Sequence, residues 1–589
     1  MKGSEIIVKF FESKGIETAF VLTGGCIVHF IDSIAHSPTI KYIPMLHEQS
    51  AAMAADAYAR LTNRAGLVAT TSGPGATNLL TGICCSYYDS IPVIAITGQV
   101  SKGFLKADMP TRQMGFQETD VISIFKSVTK YAVQVSEKEN LIDELNIAYN
   151  FATTGRKGPV LLDICEDVLY GEVYDNLASL SKIRTEDKGT KDGSFYYNKI
   201  LSLVNSASRP ALIIGAGANE VEISMLKILV SKLNVPVLLT WGAYGLSPEL
   251  GQYYAGGFGV TSARSGNFIV QNCDLIIGLG TRFDTHEIGN KVEDFAPMAK
   301  RIIIDIDPGE LLKLKQIGFK IDLEMCIDAS EFVSGMIRSL NNFQSKDLSA
   351  WFNLINQWHI KYPICNDQHR NQAKAVNPYY FFECLSKALP RDVSIVTDCG
   401  SNLIWTMQGL TLKKGQSVIS SFNHSPMGYS LPAAIGSAFA LKNLKPTICI
   451  IGDGGLQINI QELATIRKHM LNIKIFVMNN HCHGIIQGTQ SAWLDGRFHA
   501  SSPESGKLPD PDPCEIANAY GLRIGQLSSH KALQEKISCL INTDDEPRLI
   551  SVEMLHKSQI EPKLMFGRRL EDSHPLLSKE EIASNMLTQ

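Results

Sequence analysis

Residues 447–455 read Thr-Ile-Cys-Ile-Ile-Gly-Asp-Gly-Gly, an apolar run that ends in a glycine-rich acidic turn. The apolar part, Thr447–Ile451, predicts a buried strand because it is short and rich in β-branched residues. A second run of this kind, Ile473–Met478, is followed by Asn479 and Asn480. Since parallel α/β sheets bind ligands at the carboxyl ends of their strands, we expect the two turns at one edge of a sheet.

The residue types at this edge suit a diphosphate held by a divalent metal. Gly454 and Gly455 allow a diphosphate to approach the backbone closely, and the N-terminus of the following helix favours an anion. Asp453 and the side-chain oxygen of Asn480 are hard donors for Mg²⁺, and the backbone carbonyl of Cys482 is a further candidate ligand. Either turn alone has a plain structural interpretation; the two together favour the metal site.

Strand and helix patterns alternate outward from this point, which predicts an α/β protein with three doubly wound parallel-sheet domains. The other predicted strands are Thr18–Leu22, Leu67–Thr71, Val93–Thr97, Val160–Ile164, a run starting at Ala211, Val235–Leu239, Leu275–Leu279, Arg301–Ile306, Ser394–Thr397 and Leu549–Val552. We place the domains at 1–175, 190–345 and 370–555, with a polar linker over 179–194 and a C-terminal tail over 556–589. Trp351 and Trp358 indicate a helix within the connector at 342–377.

Composition excludes several classes of protein. With 589 residues, 44% hydrophobic and 19% charged, the chain is long enough for two to four domains and is neither disordered nor fibrous. A net charge of −4 argues against nucleic acid as a partner. The 13 scattered cysteines are typical of free thiols in a reducing compartment. No apolar run is long enough for a membrane span, and charges interrupt the first apolar run, so we expect a cytoplasmic protein without a membrane partner.

Further motifs occur in order along the chain. They are Thr23-Gly24-Gly25, Leu46-His47-Glu48-Gln49, the turn from Thr71 to Asn78, Phe116-Gln117-Glu118 and Ser425-Pro426-Met427-Gly428. Together with the turns at 452 and 480, this set resembles the thiamine diphosphate (ThDP) enzymes, in particular their acetolactate synthase-like group. The resemblance extends to about residue 555 and implies a pyrimidine domain, a flavin-binding-like middle domain and a diphosphate domain.

The resemblance also gives the motifs catalytic roles. Glu48 would share a proton with N1′ of the aminopyrimidine, which lets the cofactor's own 4′-imino group take the C2 proton. Met427 would wedge between the two rings and hold the reacting atoms close. Phe116 and Gln117 would face the reacting carbons, and His424 is a candidate to move the acceptor's proton. Without the family, Glu48 would be an ordinary first-turn glutamate and Met427 a core residue.

The remaining implied binding residues lie mostly in turns after strands. For ThDP they are Thr23, Gly24, Gly25, Pro74, Asn78, Gly400, Ser401, Asn402, Ser425, His483, Gly484 and Ile485, beside Glu48, Met427, Asp453, Gly454, Gly455, Asn480 and Cys482. In the middle block, Gly215, Gly217, Thr240, Gly257, Arg282 and Asp307 resemble positions that bind FAD in acetolactate synthases. Arg282 would pair with the flavin phosphates or a substrate carboxylate. A middle domain that binds ADP, CoA or nothing is the alternative.

The implied reaction is decarboxylation of a 2-oxo acid, taken to be pyruvate, and transfer of the two-carbon unit to a second carbonyl. ThDP acts as the electron sink, and the active sites would lie at the subunit interface of a homodimer or homotetramer. The chain departs from acetolactate synthases at Thr489, where they have Trp, and at Gly400-Ser401-Asn402, where they have Gly-Gln-His. Residues 495–498, Asp-Gly-Arg-Phe, resemble proteins of surface-polysaccharide pathways and indicate a nucleotide-linked keto-sugar as acceptor.

Three functional classes stay open on the sequence. The first is a carboligase, either directed at a sugar or a true acetolactate synthase catalytic subunit. The second is a 2-oxo acid decarboxylase or C–C lyase, in which a proton ends the reaction. The third is a non-catalytic nucleotide-binding homologue, and the joint presence of Glu48, Asp453 and Asn480 argues against it.

Overall fold

The structure is a computed structural model that describes residues 1–173 and 194–587. Within these residues the chain forms two compact units. One unit comprises residues 1–173, 392–403 and 418–557, and the other comprises 194–391, 404–417 and 558–587. The predicted polar linker lies outside the described residues, apart from Ser194. The α/β class and the three parallel-sheet domains predicted from the sequence are confirmed.

The first sheet lies in the first of these units. Its strands are β1 (Thr18–Val21), β2 (Lys41–Pro44), β3 (Gly66–Thr70), β4 (Val93–Gln99), β5 (Tyr131–Val135) and β6 (Val160–Cys165). They pair in parallel in the order β2-β1-β3-β4-β6-β5. The accompanying helices are α1 (Gly3–Ser13), α2 (Val28–Ala35), α3 (Glu48–Thr62), α4 (Pro74–Thr77), α5 (Leu80–Asp89), α6 (Val121–Phe125), α7 (Leu141–Thr153) and α8 (Glu166–Tyr170).

The middle sheet belongs to the other unit. Its strands are β7 (Pro210–Ile214), β8 (Val237–Leu239), β9 (Leu275–Leu279), β10 (Lys300–Asp305) and β11 (Leu323–Cys326), paired in parallel in the order β11-β10-β9-β7-β8. The helices are α9 (Ser194–Ser206), α10 (Ile223–Leu233), α11 (Ser247–Leu250), α12 (Arg264–Asn272), α13 (Thr285–Ile288), α14 (Pro308–Gln316), α15 (Ala329–Ser339), α16 (Ser349–Lys361), α17 (Asp367–Arg370) and α18 (Pro378–Ala388). Trp351 and Trp358 are buried on α16, so the helix predicted in the connector is confirmed.

The third sheet repeats the strand order of the first. Its strands are β12 (Ser394–Thr397), β13 (Ser417–Ile419), β14 (Thr447–Gly452), β15 (Ile473–Asn479), β16 (Arg523–Leu527) and β17 (Arg548–Glu553), in the order β13-β12-β14-β15-β17-β16. The helices are α19 (Ser401–Gly409), α20 (Ser430–Ala440), α21 (Asp453–Ile458), α22 (Glu462–Lys468), α23 (Gly484–Trp493), α24 (Pro503–Gly506), α25 (Pro513–Ala519) and α26 (Leu533–Asn542). None of the helices in the described parts of the chain combines the length and apolar character needed to cross a bilayer.

Helices α3 and α20 join the first and third sheets within their unit. A Cβ atom on Gly436 of α20 would lie 2.0 Å from the carbonyl oxygen of Ala54 on α3, so the two backbones approach as closely as a glycine permits. One core cluster includes residues of both helices and both sheets. Polar contacts add to this packing, since the Ser50 hydroxyl donates to Asn459 Oδ1 at 3.1 Å and the Leu46 N–H to Glu462 Oε1 at 3.1 Å. The N-terminal turn of α3 is therefore fixed against the third sheet's helices.

The C-terminal residues, expected to be a tail, are an integral part of the middle-sheet unit. They form the antiparallel strands β18 (Lys563–Leu564) and β19 (Ser573–His574) and the helix α27 (Lys579–Asn585). Leu570 belongs to that unit's core, and the Trp358 indole N–H donates to Asn585 Oδ1 at 2.9 Å. The polar composition suggested a tail, but these polar side chains are hydrogen-bond partners of buried groups.

Candidate active site

The glycine-rich and acidic turns identified in the sequence follow neighbouring strands of the sheets. Between these neighbours the order of the strands changes direction. In the third sheet β12 and β14 are neighbours, and Asp398 follows the first while Asp453 follows the second. In the first sheet the equivalent neighbours β1 and β3 lead into Thr23-Gly24 and Thr71. Such reversals leave a crevice at the carboxyl ends of the strands, where doubly wound sheets bind ligands.

Asp453 is the central polar group at the third sheet. Its Oδ1 accepts the N–H of Gly454 at 2.7 Å, and the backbone N–H of His481, in the turn after β15, also favours the charged carboxylate. Burial raises the pKa of Asp453 to about 6, against the opposing effect of these N–H groups. Oδ2 is buried without a hydrogen-bond partner among the described residues. A buried carboxylate oxygen in this state fits a bound cation.

Asn480 lies at the same edge, because β14 and β15 pair in parallel with Gly452 opposite Met478. The Asn480 side chain is nearly covered, at 6% exposed. A Cβ atom on Gly484 would lie 2.7 Å from Asn480 Nδ2 and 3.6 Å from Ser401 Oγ. The structure therefore brings together Ser401, Asn480 and Gly484, three residues predicted to bind the cofactor.

Cys482 can contribute its carbonyl group but not a thiolate. Burial raises the pKa of the Cys482 thiol to about 12, so the thiol keeps its proton at neutral pH. Its carbonyl oxygen accepts the N–H of Gly484 at 2.9 Å and lies in the turn that follows Asn480. The sequence-based choice of the backbone oxygen as a candidate metal ligand stays a prediction.

Met427 faces the turn after β14. A Cβ atom on Gly454 would lie 3.2 Å from Met427 Cε and 2.7 Å from His483 Nε2, so the three residues surround one space. Met427 itself is 36% exposed, which is high for a core methionine. Its position above the glycine turn fits the wedge role better than the core-filling alternative.

Asp398 is a site residue that the sequence analysis missed. Its carboxylate accepts the N–H of Gly428 at 3.1 and 3.0 Å, and burial raises its pKa to about 7. Gly428 has a φ of 82°, and its carbonyl accepts from Asn459 Nδ2 at 2.8 Å. The signal was available, since Asp398 directly follows a predicted strand just as Asp453 does.

Glu48 is the first residue of α3 and is 8% exposed. The helix is capped by His47, whose Nδ1 accepts the N–H of Gln49 at 3.1 Å. Asn78 donates from Nδ2 to Glu48 Oε2 at 3.0 Å, and a Cβ atom on Gly75 would lie 3.7 Å from Oε1. The structure thus joins the Glu48 motif to the turn from Thr71 to Asn78.

The other predicted first-sheet turns lie against this group. Cβ atoms on Gly24 and Gly75 would lie 2.5 and 2.7 Å from side-chain atoms of Thr71, so the turns after β1 and β3 are adjacent. Gln117 has a left-handed φ of 63°, and a Cβ atom on Gly73 would lie 3.0 Å from its carbonyl oxygen. Phe116 is 86% exposed and points away from the described chain's interior.

Family models of three domains match the chain. They are described as the N-terminal TPP binding domain, the central domain and the C-terminal TPP binding domain of thiamine pyrophosphate enzymes, and they match residues 1–124, 197–336 and 398–552. The chain belongs to the thiamine pyrophosphate enzymes. Thiamine pyrophosphate is the compound called ThDP above, so the predicted family and cofactor are confirmed.

Named relatives narrow the group within this family. The chain is 34% identical to the acetolactate synthase large subunit of Cyanidium caldarium, over 96% of this chain and 95% of the relative. It is 32% identical to the probable acetolactate synthase large subunit of Methanocaldococcus jannaschii, over 97% and 94%, and 30% identical to the isozyme 2 large subunit of Escherichia coli K12, over 94% and 96%. It is an acetolactate synthase-like, ThDP-dependent enzyme that transfers acyl or aldehyde units.

In this thiamine pyrophosphate enzyme, His424, the candidate proton carrier, and His481, in the turn after β15, both contact other side chains. His424 stacks on Tyr88 with ring centroids 5.5 Å apart, and burial lowers the pKa of His424, so its imidazole is neutral at pH 7. His481 contacts Asp510 through Nδ1 at 2.7 Å and Glu553 through Nε2 at 3.4 Å. A neutral His424 remains suited to proton transfer, whereas His481 is held by two carboxylates.

The middle-domain residues all have partners within the chain. Cβ atoms on Gly215 and Gly217 would lie 2.2 and 2.9 Å from the backbone of Gly280, so these glycines allow two loops to touch. Arg282 pairs with Glu310 Oε1 at 3.0 Å. The other predicted positions are similarly occupied, since Asp307 caps α14, the Thr240 N–H bonds to Ile214, and a Cβ on Gly257 would lie 3.4 Å from the Leu239 oxygen.

Proposed function

We propose that this enzyme is a ThDP- and Mg²⁺-dependent carboligase that decarboxylates pyruvate and transfers the two-carbon unit to a second carbonyl compound. The observation that carries the proposal is the coexistence of two separate polar sets in one chain. Glu48 with Asn78 forms one set, and Asp453 with Asn480 forms the other. A binding module without catalysis would need the second set but not the first.

The third-sheet residues fit the metal and the diphosphate. Asp453 Oδ2 lacks a partner among the described residues, which matches a ligand that would point at Mg²⁺. Asn480 and the Cys482 carbonyl follow the neighbouring strand and would complete the protein's share of the ligands. Gly454 and Gly455 lack side chains at the start of α21, where a Cβ atom on either would collide with His483 or Asp398, so the turn can hold a diphosphate only with glycine at these positions.

The first-sheet residues fit the pyrimidine end. When bound, ThDP supplies an electron sink for the electron pair left as a 2-oxo acid loses CO₂. Glu48 would hold a proton at the ring nitrogen, and Asn78 orients the carboxyl group by donating to Oε2.

The subunit arrangement is part of the proposal. Apolar side chains next to the two polar sets are open on the single chain, namely Leu46, Phe116, Met427 and Ile486. Single exposed apolar residues are ordinary, but a group around a site marks a surface that is covered in use. We therefore place the active sites at the interface of a homodimer, with a homotetramer as a further assembly of it.

The acceptor is the finer part of the proposal. The relatives' names favour a small 2-oxo acid as acceptor, as in acetolactate formation. Thr489 favours a larger acceptor, because its side chain is short. Its hydroxyl donates back to the Ile485 carbonyl of the same helix at 3.2 Å. A nucleotide-linked keto-sugar is the larger acceptor proposed from the sequence, and FAD is the proposed structural cofactor of the middle domain.

Product analysis tests the function directly. The holoenzyme would be incubated with ThDP, Mg²⁺ and pyruvate, first alone and then with keto-sugar nucleotides, and the products identified by mass spectrometry. Acetolactate from pyruvate alone supports a synthase, and a two-carbon extension of the sugar supports the larger acceptor. Release of acetaldehyde without a carboligation product would replace the proposal by a decarboxylase.

A further inference from the structure

A buried charged network on helices α3 and α5 has no part in the proposed chemistry. Arg60 pairs with Asp56 Oδ1 through Nε at 2.7 Å and with Asp89 Oδ2 through Nη2 at 2.8 Å. All three side chains are almost fully covered. The Ser86 hydroxyl donates to Asp56 Oδ2 at 2.8 Å. Burying two carboxylates against one guanidinium is weak evidence for stability, so the network needs another explanation.

The network contacts the segment 420–429, which lies between β13 and α20 and carries Met427 and Gly428. Asp89 accepts the backbone N–H groups of Phe422 at 2.9 Å and of Asn423 at 3.1 Å. The Tyr429 hydroxyl donates to Asp56 Oδ1 at 2.5 Å. Helices α3 and α5 of the first sheet therefore hydrogen-bond to the segment on both sides of Met427.

The segment has a backbone shape that requires such support. Ser425 adopts a left-handed φ of 51° and Gly428 a φ of 82°. A non-glycine residue in this region persists where its surroundings over-determine it. From its own sheet the segment is held at Ser420, whose hydroxyl donates to the Thr397 carbonyl at 2.7 Å, and at Gly428 by Asp398. Asp89 holds the stretch between these two points.

We propose that Asp89 and Tyr429 are positioning residues, which act through the Asp56–Arg60 pair to hold Met427 where it bends the bound cofactor. This inference rests on the proposed function. Asp56 and Arg60 both lie on α3, so the pair that connects Tyr429 to Asp89 is held by one rigid element. Loss of the contacts is expected to impair activation of the cofactor more than its binding, since Asp453 and Asn480 are unaffected.

The test compares Asp89→Asn and Tyr429→Phe with the wild type. Asp89→Asn replaces one of the two accepting oxygens by an NH2 group that cannot accept and removes the charge that pairs with Arg60. Tyr429→Phe removes one hydroxyl while leaving every charge paired. Two readouts need no substrate: the Kd for ThDP with Mg²⁺ by titration calorimetry, and the rate at which the C2 proton of bound ThDP exchanges with deuterium. We expect exchange to fall about tenfold to a hundredfold, because small displacements of reacting groups have effects of that size, with Kd changed less than about threefold.

Lys474→Met is the matched control. Lys474 is buried at the opposite end of β15, and its ammonium group donates to the carbonyls of Asp544 and Glu546 at 2.7 Å each. Its loss should lower the unfolding temperature but leave exchange at the wild-type rate. Unchanged exchange in both variants, or an equal loss in the control, would overturn the positioning role. A wild-type protein that takes up no ThDP would instead defeat the proposed function, and this inference with it.

Discussion

The two units of the chain contain the same kind of turn, a glycine-rich loop at a reversal of strand order, but the polar groups there differ. In the unit of the first and third sheets, Asp453 has a buried oxygen without a partner among the described residues. In the middle-sheet unit, Arg282 is already paired with Glu310, and Gly280 fills the space beside Gly215. The comparison teaches that a glycine motif indicates the shape of a loop, whereas a ligand site also needs an unpaired buried polar group at that loop.

Asp453→Asn should produce the largest effect. The substitution keeps the shape of the side chain but removes its negative charge. It also replaces one possible metal-binding oxygen by an NH2 group. We expect the affinity for ThDP in the presence of Mg²⁺ to fall about a thousandfold, as for breaking a buried ion pair. Titration calorimetry measures this, and a chelator should abolish the wild-type signal in the same way.

Asp510→Asn is the control for that experiment. Asp510 is a neighbouring carboxylate, but its contact is to His481. We expect its loss to lower ThDP affinity about tenfold, as for an outer partner of a metal site, and so far less than the loss of Asp453. Equal affinities for ThDP in the wild type and Asp453→Asn would mean that the unpaired oxygen of Asp453 does not mark a ligand site. The contrast with the paired Arg282 would then have no functional meaning.

Glu48→Gln should abolish turnover without abolishing binding. The amide keeps the contacts of the side chain but cannot share a proton with the ring, so we expect a turnover loss of at least about a hundredfold. Pyruvate decarboxylation and ThDP titration would be measured on the same preparation. The matched variant is Glu462→Gln, a buried carboxylate that binds the Leu46 N–H and is expected to retain most of the activity. Undiminished turnover in Glu48→Gln would falsify the assignment.

The sheets could be predicted from the sequence mainly at their centres. Every predicted strand is present, with ends shifted by a few residues at most. In the three parallel sheets the strands that were missed, β2, β5, β11, β13 and β16, all lie at edges, and the short pair β18 and β19 was missed as well. An edge strand is covered on fewer sides, so its sequence carries fewer apolar residues; β2 and β16 each have a single buried residue.

The residues of the candidate site also differ in whether the sequence alone could predict them. Asp453, Asn480 and Glu48 could be found because each has a local signal, a strand end or a helix start, together with a family motif. Asp89 has no such signal, since its role depends on a contact with residues more than 300 positions away in the chain. Long-range hydrogen bonds of this kind arise from the packing of α3 against α20, which a single sequence does not reveal.

Flavin binding tests the middle-sheet unit. If FAD is bound, the purified protein is yellow, and Arg282 exchanges Glu310 for a flavin phosphate. Arg282→Ala should then lower FAD affinity about tenfold, measured by flavin fluorescence, because a charge-assisted contact is lost. Lys315→Ala serves as the control, because Lys315 lies on α14 like Glu310 and pairs with Glu324 of β11 at an exposed position. A colourless protein that stays free of flavin after incubation with FAD would show that Arg282 functions as the partner of Glu310 and not as a flavin ligand.

Thr489→Trp should have the smallest effect, and it tests the acceptor side of the first unit. Thr489 lies on α23, a helix without buried residues in this chain, so an indole can be added without disturbing a core. If the short side chain leaves room for a large acceptor, the indole should reduce kcat/KM for a keto-sugar nucleotide about fivefold more than for pyruvate as acceptor. Thr489→Ser, which keeps the hydroxyl and removes a methyl group, should leave the ratio unchanged. An equal loss for both acceptors would mean that Thr489 does not line the acceptor pocket, and the larger acceptor would lose its structural support.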